Sequence, residues 1–280
     1  MVIHDSLKYA EQVLQKAGND NPSFEARLIL CHVLGLDMTG LTFQAKQQIS
    51  EEQIRQLHGL LQERLKHKPL QYLLGTQEFM SLTFNVGQGV LIPRSDTETL
   101  VETVLEQVKG EDGLKILDIG TGSGCIGISL AFYHKGCTVE CLDVNPVSLE
   151  TARRNAQMNH VEKRTVFNLC DILSEEPAGL YDVIVSNPPY IERQEISKLM
   201  PEVQEYEPHI ALDGGADGLD FYRRITEIAP KHLISGGLLA YEIGYEQGHA
   251  VAALMKEDFS EIEIIKDLCK NDRVVTGRKK

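Results

Sequence analysis

The segment KILDIGTGSGCIG, residues 115–127, constrains the fold of this 280-residue chain more than any other. Its apolar first half, Lys115–Ile119, predicts a short buried strand, and the glycines after it lead directly into a helical pattern. Glycine lets the backbone turn sharply and lets a ligand approach without meeting a Cβ atom. A strand, a glycine loop and a helix in this order are typical of a parallel α/β sheet that binds a ligand at the loop.

The alternation of strands and helices extends over residues 93–280. A helix capped by Ser95 and Glu98 is predicted first, and later helices are predicted after the glycine loop, at 146–159 and near 218–233. Elements of this length and order predict an α/β protein with a Rossmann-like, doubly wound, mostly parallel sheet covered by helices on both faces. The predicted strands are 115–119, 138–144, 164–169, 181–186, 238–243, 262–268 and 273–276.

The first third of the chain has a different pattern. Helical spacing of apolar residues predicts a small helical domain, in which Ser50 and Gln53 form a capping box at the start of one helix. Apolar residues that alternate before Gly87–Gly89 and resume after it predict a β-hairpin that turns at these glycines. We therefore expect three parts: a helical domain over 1–69, a β-hairpin linker over 70–92 and an α/β domain over 93–280.

The charge of the chain argues against a nucleic-acid partner. The formal net charge is −13. Residues 1–92 hold 8 Lys and Arg against 9 Asp and Glu, whereas residues 93–280 hold 20 against 32. A protein that grips DNA or RNA neutralises phosphates with a basic surface. The acidic balance of the second part therefore favours a protein substrate over a nucleic acid.

Neither a membrane segment nor a metal site is expected. No apolar run approaches the roughly 18 residues that a membrane span needs. The start, MVIHDSLKYAEQ, lacks the basic and apolar regions of a signal peptide. The six cysteines contain no C-x-x-C pair and no histidine at metal-ligand spacing, so we expect reduced core residues. The expectation is a cytoplasmic, monomeric protein that holds no metal.

The glycine loop fits two classes of nucleotide-like cofactor. Gly122, Gly124 and Gly127 form a G-x-G-x-x-G pattern, and Asp143 lies 21 positions after Gly122 at the end of the next predicted strand, as in dinucleotide-binding folds. Asp118 favours the other class, because a carboxylate at the mouth of the loop repels a pyrophosphate but suits a ligand with an amino group and a sulfonium. An NAD-linked oxidoreductase stays an alternative, although no catalytic His, Tyr-Lys pair or metal set is found near the strand ends.

Gly120-Thr121-Gly122-Ser123-Gly124 resembles the first motif of Rossmann-like methyltransferases that use S-adenosyl-L-methionine (SAM). The resemblance implies that Asp143 hydrogen-bonds the two ribose hydroxyls and that Asp171, after the following strand, lies by the adenine amino group. It implies SAM as the cofactor and S-adenosyl-L-homocysteine as the product. The residues expected to hold the cofactor are Asp118, Gly120, Thr121, Gly122, Ser123, Gly124, Asp143, Asp171 and Asn187.

A second motif, Asn187-Pro188-Pro189-Tyr190, comes directly after a predicted buried strand. Two consecutive prolines cannot extend the strand, have no N–H and fix φ at about −65°. What remains is a rigid run of carbonyl groups beside one Asn side chain and one aromatic ring. This set matches a planar –NH₂ group, because the Asn187 oxygen and the Pro188 carbonyl can accept its two hydrogens while Tyr190 packs on its flat face.

The second motif suits methylation of an amide or aromatic amine. The lone pair of such a nitrogen is delocalised, so the nitrogen is a poor nucleophile. Hydrogen bonds to both N–H groups fix the nitrogen and turn its lone pair toward an electrophilic methyl, so catalysis comes mainly from positioning and electrostatics. We therefore predict that Asn187, Pro188 and Tyr190 are catalytic. The predicted substrate-binding residues are Asn187, Pro188, Pro189 and Tyr190.

N-P-P-Y after the fourth strand of the α/β domain resembles the amino methyltransferases, which modify exocyclic amines of adenine or guanine or the amide of glutamine. Further stretches narrow the resemblance to the release factor glutamine N5-methyltransferase (PrmC/HemK) family, and the likeness spans essentially the whole chain. The stretches are Ile92-Pro93-Arg94, Asp96-Thr97-Glu98, Asp118–Gly124, Asn187–Tyr190, Tyr206-Glu207-Pro208, Ala211-Leu212 and Gly214–Leu219.

This resemblance implies a protein substrate: the Gln of a Gly-Gly-Gln tripeptide in bacterial class-1 peptide chain release factors, methylated on its side-chain amide. It further implies that Arg94, Thr97 and Glu98 form one wall of the pocket and that the helical domain holds the body of the release factor. From the residues alone, Glu98 is equally the capping partner of Ser95. An amino methyltransferase that acts on adenine or guanine in nucleic acid is the alternative function.

Overall fold

The structure, a computed structural model, describes residues 1–280. None of its helices is both long and apolar enough to span a membrane. Short 3₁₀ helices lie at Ser95–Thr97, Ile196–Lys198 and His209–Ala211. The other elements, in chain order, are α1 (Ile3–Lys16), α2 (Pro22–Leu34), α3 (Met38–Phe43), α4 (Glu51–Arg64), α5 (Leu70–Leu74), β1 (Thr76–Phe79), β2 (Leu82–Asn85), α6 (Glu98–Gln107), β3 (Leu114–Ile119), α7 (Cys125–Tyr133), β4 (Cys137–Asp143), α8 (Pro146–Met158), β5 (Thr165–Leu169), β6 (Tyr181–Ser186), α9 (Pro201–Tyr206), α10 (Asp220–His232), β7 (Leu233–Glu242), α11 (Gly248–Met255), β8 (Phe259–Lys266) and β9 (Asp272–Lys279).

The chain divides into two compact units, and the first comprises residues 1–75 together with 201–206. Its regular elements are the helices α1–α5 and α9, and side chains of α1–α5 form one hydrophobic cluster. The predicted capping box of α4 is confirmed, because the Ser50 hydroxyl accepts the Gln53 N–H at 3.2 Å and the Gln53 side chain accepts the Ser50 N–H at 2.9 Å. Helices α1–α5 all lie within residues 1–92, which were predicted to form the helical domain and the linker.

The short helix α9 joins this first unit from far along the chain. Glu202 pairs with Nη2 of Arg64 at 2.7 Å, and the Tyr206 hydroxyl donates to the Lys66 carbonyl at 2.6 Å. No residue of α9 is buried, so this helix has no stripe of core-facing apolar residues by which its sequence would reveal it. The helices predicted from the sequence therefore did not include α9.

The second unit, residues 76–200 and 207–280, holds a seven-stranded sheet in the order β5-β4-β3-β6-β7-β9-β8. Neighbours from β5 to β7 are parallel, whereas β9 is antiparallel to β7 and β8 is antiparallel to β9. One core cluster includes side chains of α6, α7 and α8, and the other includes side chains of α10 and α11. The predicted doubly wound, mostly parallel sheet is confirmed.

The hairpin of β1 and β2 turns at Met80–Ser81, since Phe79 pairs with Leu82. The predicted hairpin turn at Gly87–Gly89 is wrong, because the residues directly after these glycines, 90–94, form no strand. Met80 and Ser81 have φ values of 49° and 56°, as a two-residue type I′ turn requires. Such a turn normally contains Asn or Gly, so the residues at this position gave no turn signal.

The order of strands in the sheet reverses between β3 and β6. After β3 the chain continues to β4 on one side, and after β6 it continues to β7 on the other. Ile119 lies beside Ser186 in the register of the two strands. The glycine loop and the N-P-P-Y segment therefore leave the sheet side by side, at the switch point where doubly wound folds bind ligands.

Candidate active site

A cavity of about 260 Å³ lies at this switch point. The segments that follow β3, β4, β5 and β6 line it, together with residues between 89 and 97 and between 208 and 211. Asp118, Gly124, Pro188 and Tyr190 lie outside its wall. The predicted site residues that the cavity brings together are Gly120, Thr121, Gly122, Ser123, Asp143, Asp171, Asn187 and Pro189.

The end of β4 holds the glycine loop in place. The N–H groups of Gly120 and Thr121 both donate to the Leu142 carbonyl at 2.9 Å, and the N–H of Gly122 donates to Asp143 Oδ2 at 2.8 Å. Gly122 has a φ of 57°, and no atom lies within 4 Å of the position that a Cβ would occupy there. The loop therefore presents bare backbone to a ligand in the cavity.

Asp118 lies behind the glycine loop. It is fully buried, and its Oδ2 accepts hydrogen bonds from the Thr121 hydroxyl at 2.6 Å and the Gly127 N–H at 3.1 Å. Its Oδ1 is buried without a partner. Burial raises the pKa of Asp118 to about 6, although the two hydrogen bonds lower it. The carboxylate thus ties the loop to the first turn of α7, and its contact with the cofactor stays a prediction.

Asp143 is the last residue of β4, Asp171 follows the neighbouring strand β5, and both line the cavity. Asp143 accepts the N–H groups of Gly122 and Asn145, each at 2.8 Å, and burial raises its pKa. Oδ1 of Asp171 accepts the Leu173 N–H at 3.1 Å. A carboxylate oxygen has more than one lone pair, so these carboxylates retain acceptor capacity for ligand hydroxyl or amino groups.

The N-P-P-Y segment forms the part of the wall beside the glycine loop. The Asn187 carbonyl oxygen lies 4.0 Å from the position that a Cβ would occupy on Gly120. Asn187 and Pro189 face the cavity, and Pro188 is buried. Tyr190 is half-buried against the core cluster that includes α10, and this burial raises the pKa of its hydroxyl to about 12. Tyr190 is therefore neutral near pH 7.

Residues 212–218 brace the N-P-P-Y segment from outside. The N–H of Gly214 donates to the Ile191 carbonyl at 2.9 Å, and a Cβ on Gly214 would lie only 2.7 Å from Cα of Tyr190. The Gln247 side chain donates to the Tyr190 carbonyl at 3.0 Å. Gly at position 214 thus permits the close approach of its backbone to the backbone at Tyr190. Gln247 is a supporting residue that no sequence motif indicated.

Arg94 and Thr97 line the cavity, whereas Glu98 does not. Nη2 of Arg94 contacts both carboxylate oxygens of the buried Glu207, at 2.6 Å and 2.8 Å. Oε1 of Glu98 accepts the Met80 N–H at 2.6 Å, and no side chain caps the start of α6. Both expectations for Glu98, as a wall residue and as a capping residue, are wrong because the hairpin turn takes up its carboxylate.

The charge of the cavity wall fits a cationic ligand. Its acidic residues are Asp143 and Asp171, and its only Lys or Arg is Arg94, which is paired with Glu207. A pyrophosphate would meet uncompensated carboxylates here, whereas ammonium and sulfonium groups would be attracted to them. The bare glycine loop and this charge fit SAM better than a dinucleotide.

Two family models match the chain: the PrmC N-terminal domain over residues 5–75 and the methyltransferase small domain over residues 94–203. A Clostridium acetobutylicum protein named release factor glutamine methyltransferase is 42% identical over 278 residues, which are 98% of each chain. A Bacillus cereus protein of the same name is 39% identical over 282 residues, again 98% of each chain.

Solved structures of methyltransferases share the fold. One from Pyrococcus furiosus has a TM-score of 0.52 at 21% identity, and the matched region covers 72% of this chain and 90% of the Pyrococcus furiosus chain. The ribosomal protein L11 methylase of Lactobacillus delbrueckii subsp. bulgaricus has a TM-score of 0.50 at 18% identity, and the matched region covers 70% of this chain and 83% of the methylase chain. The expected Rossmann-like methyltransferase fold is confirmed. Since its relatives match along the full length, the chain belongs to the release factor glutamine methyltransferase family.

Proposed function

We propose that this protein transfers a methyl group from SAM to the side-chain amide nitrogen (N5) of the Gln in the Gly-Gly-Gln tripeptide of bacterial class-1 peptide chain release factors. One observation carries the proposal. The cofactor loop Gly120–Gly124 and the amide-binding segment Asn187–Tyr190 leave neighbouring strands at one cavity. The full-length relatives are named release factor glutamine methyltransferases, which supports the choice of substrate.

When bound, SAM supplies an electrophilic methyl group on a positively charged sulfur. We assign its binding to the predicted set: residues 120–124, Asp118, Asp143, Asp171 and the backbone at Asn187. The bare loop backbone and the two acidic residues of the cavity wall support this assignment. Asp118 contributes by holding the loop through Thr121 and Gly127, and its unpartnered Oδ1 adds negative charge behind the loop.

The substrate amide is held by the N-P-P-Y segment. We assign the acceptors of its two N–H groups to Asn187 Oδ1 and the Pro188 carbonyl, and the packing on its face to Tyr190, with Pro189 completing the rigid turn. The two oxygen dipoles stabilise the positive charge that develops on the nitrogen. The nitrogen releases one proton to solvent only after it has gained the methyl group, so no strong base and no metal are required.

The release factor is the partner in this proposal. We assign docking of its body to the helical domain over 1–69, with 70–92 as the linker and the chemistry in 93–280. The protein would act as a monomer in the cytoplasm, where release factors work, without direct contact to nucleic acid or membrane. The acidic balance of residues 93–280 supports a protein partner.

The test is transfer of label from methyl-labelled SAM to a purified class-1 release factor. A release factor with Gln→Ala in the tripeptide and a duplex DNA are incubated in parallel. We expect label on the unmodified release factor alone, and mass spectrometry should locate it on the Gln side-chain amide. Label on DNA and none on the release factor would favour the nucleic-acid amino methyltransferase instead.

A further inference from the structure

Glu242 is a buried carboxylate beside the N-P-P-Y segment. β6 and β7 are parallel, and Ser186 pairs with Tyr241 in their register. The next residues along the two strands, Asn187 and Glu242, therefore lie side by side and share one face of the sheet. Glu242 is only 2% exposed. No sequence motif contains Glu242, because it lies near Asn187 only through the pairing of β6 with β7, two strands that are far apart in sequence.

Glu242 has no ion-pair partner. The charge of Arg273 lowers the pKa of Glu242, but the ion pairs of Arg273 are with Asp96 at 3.3 Å and Asp267 at 3.2 Å. Oε2 of Glu242 is buried without any hydrogen bond. Burial of a carboxylate that forms no direct ion pair costs folding free energy, so a role in the site is the simplest reason for its presence.

The groups that do contact Glu242 connect it to Asn187. The side chains of Thr97 and Asn187 act on its carboxylate as hydrogen-bond donors and so lower the pKa of Glu242. Nδ2 of Asn187 also donates to the Thr97 hydroxyl at 3.3 Å. A carboxylate can only accept hydrogen bonds, and a hydroxyl has one hydrogen to donate. The Thr97 hydroxyl must therefore donate to Glu242, which leaves its lone pairs to accept from Nδ2 of Asn187.

We propose that Glu242 and Thr97 are positioning residues for methyl transfer, because together they hold the side-chain amide of Asn187 with its N–H groups toward the protein and its Oδ1 toward the substrate. Neither residue touches the reacting atoms in this proposal. It rests on the proposed function, in which Asn187 Oδ1 accepts an N–H of the substrate amide. If the side-chain amide of Asn187 were rotated by 180°, its Nδ2 group, a donor, would face the N–H of the substrate amide, which is also a donor. The hydrogen bond to the substrate would then be lost.

The proposal makes the reaction depend on the charge of Glu242. Burial raises the pKa of Glu242 to about 7. When Glu242 is protonated, its O–H can donate to Thr97, and the Thr97 hydroxyl can then donate to a flipped Asn187. The other titratable groups that face Glu242 are Asp96, Arg273, Tyr190, Tyr222 and Cys125. The pKa of each of the last three is raised away from neutrality, so none of them titrates near 7.

The test compares Thr97→Val, Thr97→Ser and Glu242→Gln with the wild type, using release factor as substrate. We expect Thr97→Val and Glu242→Gln to lower kcat roughly 10- to 100-fold, the size of a misplaced contact group. The Kd for SAM should stay within about twofold, and Thr97→Ser should restore most of the rate. The wild-type kcat should rise with pH through about 7, and Glu242→Gln should lack this step. Thr165→Val, which removes a buried hydroxyl bonded to Val161, is the matched control.

A second readout needs no turnover. Hydrogen exchange of the Asn187 side-chain amide, followed by ¹⁵N NMR, should be slow in the wild type and faster in Thr97→Val. Wild-type kcat in Thr97→Val, equal losses in Thr97→Val and Thr97→Ser, or unchanged exchange would each overturn the proposal. If the wild type methylated no release factor, the proposed function would fail, and the exchange measurement would still decide the orientation of Asn187.

Discussion

The N–H of Gly122 donates a 2.8 Å hydrogen bond to Oδ2 of Asp143. Gly122 and Asp143, which are both predicted to bind the cofactor, thus also hold each other in position in the absence of a ligand. The loop is already held in its bent form by β4, so binding need not order it, and this preorganisation favours affinity.

Replacement of Asp143 by Ala should weaken SAM binding. It removes a charged acceptor from the cavity wall and also releases the Gly122 N–H. A hydrogen bond to a charged group contributes about 1.5–3 kcal/mol, so the Kd should rise roughly 10- to 100-fold. Calorimetric titration with SAM measures the change. Asp258→Ala, at an exposed position of the same unit, should bind like the wild type. An unchanged Kd in Asp143→Ala would remove Asp143 from the site.

Alanine should be tolerated less well at Gly124 than at Gly122. Both residues have positive φ, which costs a side chain about 1–2 kcal/mol. At Gly122 a Cβ meets nothing within 4 Å, but at Gly124 it would lie 2.6 Å from Cδ1 of Ile128 and 3.1 Å from Cβ of Ala152. Overpacking adds about 1–3 kcal/mol to the cost at Gly124. Urea unfolding of the two variants measures both losses, and equal values would contradict the packing around this loop.

Glu242→Gln should stabilise the protein, but only at neutral and higher pH. The pKa of Glu242 is raised from 4.5 to about 7 on folding, so the wild type loses stability as pH rises from 4.5 through 7. Gln does not ionise, so the advantage of the variant should grow from near zero at pH 4.5 to about 3 kcal/mol at pH 8. Urea unfolding at both pH values tests this, with the exposed Glu257→Gln as control. A difference independent of pH would show that burial of the charge is not its cause.

The sheet could be predicted because its strands are apolar runs bounded by turn residues, and their alternation with helices permits few topologies. β6 ends at Ser186, where the sequence placed the end of its strand. The order of strands then puts the glycine loop beside Asn187, which explains why two motifs about 65 residues apart indicated one site.

The errors arose where local signals are outweighed by distant contacts. Glu98 has the spacing of a capping residue, but the N–H of Met80 in the hairpin turn takes its carboxylate. The position of Glu242 beside Asn187 depends on strand register. α9 has no buried face, so its periodicity carried no information. Each of these features depends on residues far apart in sequence, and one sequence read locally does not contain that information.

The central claim is that Asn187 holds the substrate amide for transfer, and the single-turnover rate of Asn187→Ala measures it most directly. With saturating SAM and release factor, the loss of one preorganised acceptor should lower the rate roughly 10²- to 10³-fold. The Kd for SAM should stay within about twofold, because the cofactor loop and Asp143 are untouched. Asn168→Ala, at an exposed position of β5, should react like the wild type. A wild-type rate in Asn187→Ala would contradict the account, whatever its effect on SAM binding.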